Sequence, residues 1–189
     1  MKPPRAAALA LVLVVTAAAF ALRLWRLEFQ SLWWDEGVSI YLAGAGVPAL
    51  TFAKDFAVDL HPPGYHLLLA LWRALFGPTV FSMRLLSVMA GTLTIPLVAR
   101  LGLLFARADA RVRVGLLAAT LAAVSPIAVF YSQESRMYPF LPFLGALSLY
   151  LTLRVIRRPT GGNWLLWTVA NLLSWYTYYY FGFWTLALT

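Results

Sequence analysis

Three short polar islands interrupt an otherwise apolar chain and hold the side chains able to do chemistry: Trp33-Trp34-Asp35-Glu36, His61-Pro62-Pro63-Gly64-Tyr65 and Tyr131-Ser132-Gln133-Glu134-Ser135-Arg136-Met137-Tyr138. Asp35 or Glu36 can deprotonate a hydroxyl during group transfer. Its neighbour, facing elsewhere on any regular element, then orients it, binds metal or pairs with a cation. The alternative is an interfacial belt, with tryptophans at headgroup level beside solvated acids. His61 precedes two prolines that fix the backbone and can open a helix. It either faces headgroups or sits, with a helix N-terminus, against an anionic phosphate. Asp59, two residues earlier, leaves a divalent metal ion open as a cofactor, although the spacing is not a specific metal motif. Glu134 and Arg136 stand at i and i+2, which do not face one another on a helix, so their partners lie elsewhere. Beside Tyr131 and Tyr138, Arg136 suits bidentate grip of a lipid phosphate, with a structural ion pair as the alternative.

These islands need a scaffold, and composition says which. Of 189 residues, 62% are hydrophobic and 12% charged, too oily for a soluble domain to cover with polar groups. The expected fold class is therefore an all-α polytopic membrane protein. The net charge of +8 does not indicate nucleic acid, because the arginines punctuate the ends of apolar runs and form no basic stripe. The chain has no cysteine, which removes disulfide and thiolate chemistry.

The run Ala6–Leu22, followed by Leu24-Trp25-Arg26, spans roughly 26 Å as a helix and reads as an uncleaved first membrane span. Further apolar runs lie near 85–106, 114–131, 138–154 and 164–186, giving about five spans. Residues 63–76 are shorter and interrupted by Arg73. Charge bias decides their reading. If they form a juxtamembrane or re-entrant helix, Lys2, Arg5, Arg107, Arg111, Arg113, Arg154, Arg157 and Arg158 gather in short loops on the cytoplasmic side. If they span, the positive-inside bias inverts. The first arrangement makes 23–84 a first outer loop and about 132–137 a second, so all three islands emerge on one face. Arg84 and Arg100 are read as snorkelling to the interface. The aromatic run Trp175-Tyr176-Thr177-Tyr178-Tyr179-Tyr180 is interface, packing or a sugar-stacking surface. Ending on an apolar run without flanking charge, residues 1–189 read as the N-terminal part of a longer chain, expected to be inactive alone.

The ordered set of islands, with Leu75-Phe76-Gly77 and Arg84-Leu85 between them, resembles the GT-C membrane glycosyltransferases, in the group related to protein O-mannosyltransferases and aminoarabinose lipid A transferases. The resemblance covers residues 7 to about 155. It implies inverting transfer of a sugar from a polyprenyl-phosphate donor to an acceptor hydroxyl on the outer face of the cell membrane. It also implies that Asp35 is the general base with Glu36 its companion, that His61 lies near the donor phosphate, and that Glu134 is a further active-site acid. Some relatives carry Lys directly after the His, where Pro62 stands here; Arg136 is the cation expected to compensate. The competing class is a transporter or lipid-carrier flippase, which needs ionisable groups near the membrane midplane. A structural membrane subunit is a third. Here the acids cluster at one surface.

Overall fold

The computed structural model of the chain describes residues 5–44 and 61–188. Among the described residues every regular element is helical: α1 (Arg5–Leu24), α2 (Trp34–Gly44), α3 (Gly64–Phe76), α4 (Val80–Phe105), α5 (Arg111–Val124), α6 (Pro126–Ser132), α7 (Phe140–Arg157), α8 (Gly161–Thr177) and α9 (Phe181–Ala187). Three helices, α1 from Ala6, α4 and α7, are long and apolar enough to cross a membrane, and α5 with α6 makes a fourth if the bent pair is one span. Lipid-facing side chains are correspondingly bare. Leu9, Leu13 and Val14 of α1 are exposed, as expected where the solvent is hydrocarbon.

The turns are set by local chemistry. α3 ends at Gly77, whose φ of 86° suits a residue without Cβ. Two residues later Thr79 opens α4, its Oγ1 accepting the Ser82 N–H at 3.1 Å, a standard N-terminal cap. α4 is the central pillar, packed on α1, α5 and α7. Where it meets α5, a Cβ on Gly102 would lie 2.9 Å from the Gly115 Cα. Small residues thus let the two backbones approach, the usual means of close helix packing in lipid. Across α7 and α8, Ser148 donates to Asn171 Oδ1 at 2.8 Å and Trp167 Nε1 donates to Thr152 at 2.8 Å.

Several expected spans are broken. α5 and α6 meet at 56°, because Pro126 has no N–H to give the Ala122 carbonyl. Arg23 supplies the donors instead: Nη2 to Ala122 O at 3.2 Å and Nη1 to Ala123 O at 3.0 Å. The cation sits at the negative end of the α5 dipole, completely buried. The expected final span, 164–186, divides at Tyr178 into α8, of 17 residues, and α9, of 7. The expected segment 63–76 holds the short amphipathic α3, which is capped by Pro63 and is not among the candidate spans.

Candidate active site

At the end of the bundle where α1 finishes, α2 begins with Asp35 and Glu36 in its first turn, where the helix dipole favours anions. Their fates differ. Glu36 points inward and is fully buried. Its Oε1 accepts Arg84 Nε at 2.8 Å and the Ser135 N–H at 2.8 Å, and its Oε2 accepts Arg84 Nη2 at 2.7 Å. The fork is bidentate, the strongest geometry an arginine and a carboxylate can adopt. The rest of Arg84 is also engaged: Nη1 donates to Leu27 O at 2.7 Å and Gln30 O at 3.0 Å. The snorkelling expected of Arg84 is therefore wrong. Only 2% exposed, it ties the first loop to α4, because a guanidinium with five donors can satisfy a carboxylate and loop carbonyls together.

Asp35 points outward. Its side chain is 37% exposed, with Oδ2 3.6 Å from Arg136 Nη2. Arg136 Nη1 donates to Asp35 O at 3.1 Å and to Ser39 Oγ at 3.0 Å, and Ser87 Oγ donates to the Arg136 carbonyl at 3.1 Å. Arg136, placed by sequence at the membrane surface, lies beneath Asp35 and is only 4% exposed. Its partner is on another element, as the i and i+2 spacing required.

The second island joins through Tyr65, whose hydroxyl is 3.4 Å from Ser135 Oγ. Pro62 and Tyr65 are fully buried. His61 stacks on Tyr178 at the α8–α9 break, with ring centroids 6.0 Å apart. That break is pressed against the start of α3. A Cβ on Gly64 would overlap the Tyr176 carbonyl, lying 2.7 Å from its carbon. Since the obstacle is backbone, Gly64→Ala should destabilise the protein by about 1–3 kcal/mol. A thermal-unfolding comparison checks this, and an unchanged midpoint would mean that the two segments do not touch. Beside Tyr178 an apolar cleft of about 430 Å³ runs between α7 and α9, lined by Leu141, Pro142, Leu149, Phe181 and Trp184.

Glu134 is 6% exposed, and its Oε2 is buried without a hydrogen-bond partner, as is Arg136 Nε. Burial pushes the Glu134 carboxyl up to about 7, helped by the Glu36 charge and opposed by Arg136. The unfolded group titrates near 4.5. Between these values the folded protein keeps a proton that the unfolded chain has lost. Stability from this group is thus fully present below about 4.5 and is lost as pH rises through about 7. Glu134→Gln should flatten that stretch of the stability–pH curve and melt above the parent at pH 8. A parallel curve for the variant would refute the assignment. Among the described residues no three His, Asp or Glu side chains group as a metal site, and Asp59 lies outside the described residues.

The sequence reading overlooked Arg23. Its Nε donates to Ser132 Oγ at 3.2 Å, and Gln133 Nε2 donates to Arg23 O at 3.1 Å, so it sets where the third island begins. The available signal was a lone arginine ending an apolar run, in a chain with a Ser-Pro break inside another run.

A lipid-facing helical bundle with an arginine-clamped acidic site at one end defines a polytopic membrane protein with the makings of an enzyme. The profile of the dolichyl-phosphate-mannose-protein mannosyltransferase family matches residues 60–189, well over half of the chain. The chain belongs to this family and is a membrane glycosyltransferase of the GT-C kind. The match takes in His61, Arg84, Glu134 and Arg136 and begins after Asp35 and Glu36. No curated protein and no solved structure matches the chain.

Proposed function

We propose that the protein moves a sugar from a polyprenyl-phosphate donor to an acceptor hydroxyl, with inversion, at the non-cytoplasmic face of the cell membrane, and that Asp35 is the general base. The observation that carries this reading is the division between the two adjacent acids. Glu36 has three donors and no access, whereas Asp35 is the acid left open beside a cation.

In the transfer, the acceptor oxygen bonds to the anomeric carbon as its proton passes to the Asp35 carboxylate. The bond from that carbon to the phosphate oxygen breaks, and its electron pair leaves with the lipid phosphate. Inversion follows from attack opposite the leaving group. Once Asp35 carries the proton, its hold on Arg136 slackens, and the guanidinium charge can turn to the departing phosphate. His61 is the second group assigned to that phosphate. The cleft beside Tyr178 supports the reading, since an isoprenoid tail could remain in it while the head enters the site. Glu36 and Arg84 act as positioning residues in this scheme, and Glu134 and Asp59 are left to the acceptor side.

The test is turnover of a lipid-phosphate-linked sugar by membranes carrying the intact protein. Asp35→Asn should cut product formation by about 10²-fold or more while the protein stays folded. Export or flipping of the lipid carrier without any transfer would favour a transporter instead.

A further inference from the structure

We infer that a second cleft, behind the arginine clamp and separate from the proposed donor site, binds the anionic phosphate headgroup of a membrane lipid. The cleft encloses about 260 Å³, with Leu22, Leu27 and Val129 on its apolar side and Arg26, Gln30 and Gln133 on its polar side. It lies where α1 ends at Leu24, the point at which a span leaves hydrocarbon for headgroups. Trp25 and Phe29, 71% and 70% exposed, flank it as interfacial anchors do.

Arg26 makes the cleft more than a gap. Its φ of 57° is the single positive value for a non-glycine among the described residues. Glycine or asparagine would hold that backbone at less cost, so an arginine there points to a use for the side chain. The guanidinium lies 3.4 Å over the Phe29 ring, which fixes its plane and leaves its N–H edge for an oxyanion. Among the described residues no carboxylate pairs with it. Arg84, at the back of the cleft, is already neutralised by Glu36. The wall is braced as well, since Gln133 Nε2 donates to both Arg23 O and Trp25 O, at 3.1 and 2.9 Å.

An arginine fork above an apolar floor matches a phosphate joined to acyl chains better than a free ion. Occupancy would also steady the loop whose carbonyls, Leu27 O and Gln30 O, hold Arg84.

The test is thermal unfolding of the purified intact protein in neutral detergent, titrated separately with phosphatidylglycerol, phosphatidylcholine and inorganic phosphate. Phosphatidylglycerol should stabilise saturably, with the other two having little effect at matched concentration. Arg26→Gly should weaken the apparent phosphatidylglycerol affinity about tenfold. It should not lower the lipid-free midpoint, because glycine suits this backbone. Arg26→Asn, which also tolerates it, gives the same reading if glycine loosens the loop. Equal stabilisation by phosphatidylcholine, or unchanged phosphatidylglycerol affinity in both variants, would overturn the site. Equal stabilisation by inorganic phosphate, lost in the variants, would overturn the lipid assignment in favour of a soluble anion.

Discussion

Replacing either Arg84 or Glu36 by alanine should lower stability by about 3–5 kcal/mol, enough to remove much of the folded protein from a membrane preparation. The cause is less the lost attraction than the charge left behind. Without Arg84, a carboxylate with no exposure keeps the Ser135 N–H alone. Without Glu36, a guanidinium that is 2% exposed faces only loop carbonyls. Arg84→Lys should be nearly as damaging, because an ammonium cannot supply the two parallel donors and still reach Leu27 O and Gln30 O. The double change Arg84→Leu with Glu36→Leu should recover only part of the loss. It removes both charges but strands the Ser135 N–H and those carbonyls, each a buried polar group without its partner. Midpoints of the parent and the four variants, measured in one detergent, decide the matter. Single variants within about 1 kcal/mol of the parent would show that the pair is solvated and does not clamp the loop.

The same pair marks the limit of what could be read without coordinates. The islands were legible because charges beside apolar runs are expensive, and α3 as a helix too short to be a candidate span because its apolar run is brief and interrupted by Arg73. Adjacency of Asp35 and Glu36 also implied that the two would take different roles, one of them orienting, binding metal or pairing with a cation. Which one turns inward depends on Arg84, 48 residues away, and a hydropathy reading treats an arginine at a helix end as reaching for water. Arg23 escaped for a related reason, since all but one of its partners, the Ser132 hydroxyl, are backbone carbonyls, which leave no side-chain signature. The break at Tyr178 was hidden inside an aromatic run that continues without change of composition. Family resemblance ordered the motifs, but it could not reveal that Arg136 is buried in the protein beside Asp35.

Asp35→Asn should reduce turnover by about 10²–10⁴ while leaving the apparent affinity for the lipid-linked donor nearly unchanged. The amide keeps the size of the side chain and an oxygen toward Arg136, and the backbone carbonyl that accepts from Arg136 Nη1 is untouched. Folding should therefore survive, because a part-exposed pair at 3.6 Å contributes only modestly to stability. What disappears is the acceptor for the incoming hydroxyl's proton, so kcat should fall with little change in KM. Glu36→Gln provides the contrast. It leaves Asp35 in place but sets a neutral amide against Arg84, so it should reduce the amount of folded protein more than the rate per folded molecule. Rates normalised to folded protein separate the two roles. If Asp35→Asn keeps more than a tenth of the parent rate while Glu36→Gln abolishes it, the assignment is reversed, and the buried acid must leave its clamp during the reaction.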